Sequence, residues 1–124
     1  MNTILIPVSP AELLDKISIL EIKSERITEA SKLDSVKAEL ALLQAELQKL
    51  PQSEELSKLY TELKEANEEV WEGEEVTRKE WGNDARFLEA SRQSHAGNDK
   101  RFQIKKKINE LLDSGISEVK SHQV

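Results

Sequence analysis

Apolar residues recur along this chain at helical rather than strand spacing, and the densest run lies between Ser9 and Ile27. Leu13, Ile17, Leu20 and Ile27 form one stripe at spacings of 4, 3 and 7, while Leu14, Ile19 and Ile22 widen it beyond what one partner helix can cover. This pattern predicts a core helix with neighbours on more than one side. Its start is sharp: Ser9 can accept from the Glu12 amide, Glu12 can reach back to the Ser9 amide, and Pro10 sits at the first helical position, where its missing donor costs nothing.

A second helix is predicted from a cap at Ser31 to a stop before Pro51. Its seam, Leu33, Val36, Leu40, Leu43, Leu47 and Leu50, follows heptad spacing. Ser53 can cap a third helix from about Glu54 to Glu80, with the seam Leu56, Tyr60, Leu63, Asn67, Val70, Glu74 and Thr77. The first half of that seam is apolar and the second is not, and Gly73 weakens the helix by about 1 kcal/mol relative to alanine. Residues 81–84 read as a helix stop followed by a new cap. The last helical region, Ala85 to Leu112, offers Phe87, Leu88, Ile104, Ile108, Leu111 and Leu112 to the core, with an expected kink or break at 96–99. Near the start, Thr3 to Val8 reads as a short edge strand whose mate would be Ile116 to Lys120; the alternative is that both termini fray. The predicted fold is therefore all-α, an antiparallel helical bundle or coiled-coil hairpin of three to four helices in one domain over residues 1–124, with a short terminal β-ribbon as an optional addition.

Composition narrows the class. With 37% apolar and 34% charged residues, the chain suits amphipathic helices with solvated outer faces, and so lean a core favours burial in a homo-oligomer. Cysteine is absent, no uncharged run extends beyond the first 11 residues, and the N-terminus lacks the basic flank of a signal peptide. These features predict a cytoplasmic protein with no membrane partner. A net charge of −6 argues against nucleic acid, since phosphate binding needs clustered cations. The distribution adds topology: residues 54–80 carry a net of −6 and residues 86–107 a net of +5, so these two helices are expected to be neighbours.

Candidate chemistry is confined to the polar intrusions. Asn67, Glu74 and Arg78 share a face of the third helix, and Asn98, Arg101, Lys105 and Asn109 share a face of the last, with Arg92 before them. If these helices pack antiparallel, a carboxylate, carboxamides and cations converge on a cleft suited to an anionic small molecule. The competing reading is that buried Asn and Glu–Arg pairs fix helix register and oligomer state. Glu68, Glu69 and Glu72 match half of the magnesium site of all-helical nucleotide pyrophosphohydrolases, but the only ExxD pair to complete it, Glu110 to Asp113, lies near the chain's end. His95 and His122 have no metal-ligand companions in sequence, Ser91 and Ser94 lack a triad context, and no phosphate loop exists among four glycines. No metal or cofactor is expected.

The run Leu14-Asp15-Lys16-Ile17-Ser18-Ile19-Leu20-Glu21-Ile22-Lys23 with Arg26-Ile27 resembles the opening signature of a bacterial family of small proteins known only as a domain of unknown function. Asn67 with Trp71, Glu74-Glu75 and Arg78 is similar to a second signature, and Phe87, Arg92, Asn98-Asp99, Arg101, Lys105 and Ile108-Asn109 to a third. The ending Glu118-Val119-Lys120-Ser121 is also similar, so the resemblance covers nearly the whole chain. It departs at Gly73, where a large apolar residue is expected, at Ser91 in place of alanine, and at His95 and His122 in place of tyrosine. The family carries no assigned activity; Asp99 joins the candidate residues through its motif. Two readings follow: a non-catalytic helical homo-oligomer serving as an interaction or assembly module, or a binding protein or enzyme for a phosphorylated or sugar-nucleotide metabolite. In the second, Arg78, Arg92, Arg101 and Lys105 would hold the anion and Glu74 would orient it or act as an acid/base group.

Overall fold

Local signals set three of the helix starts. Ser9 accepts from the Glu12 amide at 3.3 Å, Ser53 from the Leu56 amide at 3.1 Å, and Asn83 from the Arg86 amide at 3.2 Å. Each satisfies a first-turn donor that the helix itself leaves unpaired. The computed structural model describes residues 2–113, which form α1 (Pro10–Arg26), α2 (Ala30–Leu47), α3 (Glu54–Lys79) and α4 (Asp84–Leu111). The start of α2 differs from expectation. Glu29 occupies the cap position without a side-chain cap bond, and Ser31, the expected cap, is already helical and bonds to the Glu29 carboxylate.

The helices form an up-down bundle in which α1 and α3 run parallel and α4 runs against both. Ala11 meets Asn109 and Asp15 meets Arg101, which fixes α1 antiparallel to α4; Ser18 meets Asn67 and Arg26 meets Glu72, which fixes α1 parallel to α3. Ala11, Leu14, Leu56, Leu59, Leu63 and Ile108 make the main apolar cluster, where α1 and α3 begin and α4 ends. Further along α1, Ile17, Leu20 and Ile22 are also buried, as expected of a helix apolar on most sides. Each such side chain contributes about 1.5–3 kcal/mol relative to exposure.

α3 and α4 are neighbours, but charge is not what joins them. Among the described residues, Lys100–Glu69 at 3.1 Å is the ion pair that closes between them. Their contact runs through the apolar cluster at one end and through small residues toward the other: Gly73 lies against Ala90 and Ser94, and Gly97 against Ala66 and Val70. A Cβ on Gly73 would stand 2.9 Å from the Ala90 carbonyl oxygen, and one on Gly97 would stand 2.7 Å from a Val70 methyl. The two glycines thus let the backbones approach, and α4 is one continuous helix through 96–99, so the break allowed for there does not occur. Leu88, expected in the core, is 51% exposed.

The terminal ribbon does not form among the described residues. Residues 2–8 have no strand partner there, and Ile4, Leu5 and Ile6 are exposed; the proposed mate, 116–120, lies outside the described residues. α2 is the outlying helix. Its backbone approaches α1 alone, and its heptad seam is half-buried with no residue fully covered.

Gly73→Ala tests the close approach. Helix propensity alone would stabilise by about 1 kcal/mol, whereas the collision with Ala90 should destabilise by about 1–3 kcal/mol net. A raised urea midpoint in this variant would show that the helices do not approach so closely.

Candidate functional site

The polar residues that interrupt the apolar seams meet at the centre of the bundle, around a residue of α1. Asp15 is 5% exposed. Its Oδ1 accepts from Asn67 Nδ2 at 2.8 Å and its Oδ2 from Arg101 Nη2 at 2.8 Å, with Lys105 Nζ 3.6 Å from the same oxygen. Lys105 also pairs with Glu12, whose carboxylate turns to α4 rather than back to the Ser9 amide as the capping box predicted. Asn67 gives a second hydrogen bond to Ser18 Oγ at 2.6 Å, and Ser18 in turn donates to the Asp15 carbonyl at 2.8 Å. Arg101 reaches Asn98 Oδ1 at 2.8 Å. Two carboxylates thus face two cations drawn from a different helix, so the charges compensate within the chain.

Asn109, one turn beyond Lys105, completes the start of α1. Its Oδ1 accepts from the Ala11 amide at 3.0 Å. With Pro10 lacking a donor and Ser9 taking the Glu12 amide, the first turn of a buried helix is satisfied by two local residues and one 98 positions away. A second polar cluster lies on the α1–α3 side. Lys64 Nζ is 2.5 Å from Glu25 and 3.5 Å from Glu21, and its hydrogen bond to Glu25 holds its pKa above the ordinary lysine value. Burial, reinforced by the nearby Glu21 and Glu25 carboxylates, pushes the Tyr60 hydroxyl well above the usual tyrosine range, although the hydroxyl closes no hydrogen bond among the described residues.

Asn67, Asn98, Arg101 and Lys105 therefore converge as the helical faces predicted, and Asn109 joins them as a cap. Their partners Asp15, Ser18 and Glu12 were not singled out as site residues. The available signal was the pair Asp15 and Ser18, one turn apart on a helix otherwise apolar around most of its circumference. Arg92 and Asp99 are exposed and stand away from the cluster. Glu74 and Arg78 also leave it: they line a separate open groove of about 340 Å³ toward the loop joining α3 to α4, with Thr77 and Trp81, and with Phe87, Ser91, Ser94 and His95 from α4. The acidic run does not assemble a cation site. Glu69 pairs with Lys100, Glu72 pairs with Arg26, and among the described residues no three acidic or histidine side chains converge as metal ligands.

The central cluster has the chemistry of a framework. The Asp15 oxygens are taken by donors, and Asn67 spends both amide protons on α1 of its own chain, which fixes the register of α3 against α1. Fold and site together define a four-helix bundle locked by a compensated polar centre. The chain belongs to a family of unknown function (DUF6165), whose sequence profile matches residues 4–124. No curated protein and no solved structure matches it. No helix among the described residues is long and apolar enough to cross a membrane.

Asn109→Leu keeps the bulk but removes the acceptor for the Ala11 amide. It should lower stability by about 1–3 kcal/mol in urea denaturation, the cost of a buried donor left unpaired. A variant as stable as the parent would mean that Asn109 does not cap α1.

Proposed function

We propose that this protein is a non-catalytic helical homo-oligomer serving as an interaction or assembly module, and that α2 is its self-association surface. The observation that carries the reading is the one-sided packing of α2: its seam rests on α1 while Ala38, Ala41, Leu42 and Ala45, on the opposite side, face solvent. Leu42 alone is 72% exposed. The stretch Leu40 to Ala45 carries no charge, and small side chains there would let a second helix approach closely. Ile4, Leu5 and Ile6 add further open apolar surface.

The charges that flank this face favour a second copy as its partner. Asp34 lies toward one end and Lys49, paired with Glu46 of its own helix at 3.0 Å on the surface, toward the other. An antiparallel two-fold arrangement sets Asp34 of one protomer near the Lys49 end of its mate, whereas a parallel one sets like against like. The compensated polar centre supports the non-catalytic part of the reading, because Asp15 is buried and both of its oxygens already accept from side chains of its own chain.

Sedimentation velocity of the full chain tests this. The parent should sediment as a multiple of 14.1 kDa, and Leu42→Glu should sediment as a monomer with unchanged helical circular dichroism. A parent that stays monomeric at about 0.1 mM, or a Leu42→Glu variant with parental mass, would overturn the proposal.

A further inference from the structure

We infer that the groove at the tip of the α3–α4 hairpin binds a phosphorylated sugar, free or as the sugar end of a sugar nucleotide. This goes beyond the assembly reading and rests on a different part of the molecule. α1 ends at Arg26, level with Glu72, so the final turns of α3 and the first turns of α4 extend past it. There the two helices and their loop enclose the open groove of about 340 Å³, at the small end of the range for ligand pockets and sufficient for one ring with its substituents.

Its walls present three kinds of group. Trp81 is 78% exposed, yet its indole is held by Phe87, edge to face with ring centroids 5.3 Å apart and planes at 90°. An uncovered indole is a flat apolar surface on which the CH face of a pyranose ring can stack. Arg78, in the last turn of α3, makes no ion pair among the described residues, so its planar fork of donors is open to phosphate. Glu74, one turn earlier, likewise makes no ion pair there, and although it stands four residues from Arg78 the two do not close on each other. Its carboxylate can therefore accept from sugar hydroxyls.

The Thr77 hydroxyl adds to the acceptors. Thr77 gives its proton to the Glu74 carbonyl at 2.9 Å, which leaves its oxygen able to accept. Phosphate alone would use Arg78 and leave the indole and the acceptors idle. A bare aromatic base would use the indole and leave the guanidinium idle. A ring carrying both hydroxyls and a phosphate uses all of them.

Isothermal titration of the full chain at low salt tests the site. The probes are glucose, galactose and mannose 1-phosphates, the three unphosphorylated sugars, inorganic phosphate, UMP and UDP-glucose. At least one sugar phosphate or UDP-glucose should bind saturably, with its free sugar, phosphate and UMP weaker by about tenfold or more. Arg78→Gln and Trp81→Ala should each weaken that binding by about tenfold, whereas Arg86→Gln, at the same tip but paired with Glu80, should leave it unchanged. Binding of UDP-glucose but of no sugar 1-phosphate would identify the nucleotide-linked form. No saturable binding, phosphate or UMP binding as tightly as the sugar compounds, or full affinity in Arg78→Gln would overturn the inference.

Discussion

Burying the Asp15 carboxylate is the constraint on which the bundle turns. A lone buried charge is too costly to keep, and two helices supply its partners: Asn67 from α3, and Arg101 and Lys105 from α4. That requirement is directional where apolar packing is not. Leucine seams would tolerate a slip of one turn between α1 and α3, but such a slip would strand Asp15, Ser18 and Asn67 together. The cap from Asn109 to Ala11 imposes the same register from the other side, and the main apolar cluster forms where that register places it.

What the sequence disclosed follows from the range of each interaction. The starts at Ser9, Ser53 and Asn83 depend on donors three residues away; the first two were legible as local patterns, and the third was placed within 81–84, its helix expected one residue later than the start that Asn83 sets. Gly73 and Gly97 were not: within one helix each is only a loss of propensity, and their value as points of backbone approach exists only once α3 meets α4. The neighbour relation was inferred from opposite charge and is correct, yet apolar packing and the close approach at small residues make the contact. Asp15 and Ser18 escaped notice because a scan for apolar periodicity passes over the polar members of an apolar helix. Glu74 and Arg78 were grouped with Asn67 because they share its face. Sharing a face does not mean sharing a height, and one heptad carries Glu74 about 10 Å along the axis, beyond the end of α1.

The molecule thus divides its work along its length. The compensated centre and the leucine-rich end hold the fold, while α2 and the hairpin tip have little packed over them and are where surface remains for other molecules. A bundle whose register is fixed internally can present both surfaces at a constant separation.

The Asp15–Arg101 contact, at 2.8 Å, binds α1 to α4. A double-mutant cycle combining Asp15→Asn and Arg101→Gln, read by urea denaturation, tests it most directly. The pair should show a coupling of about 1–3 kcal/mol, with the double variant more stable than the sum of the single losses predicts. A coupling within error of zero would mean that the two side chains are near each other without depending on each other, and that Asp15 does not bind the two helices together.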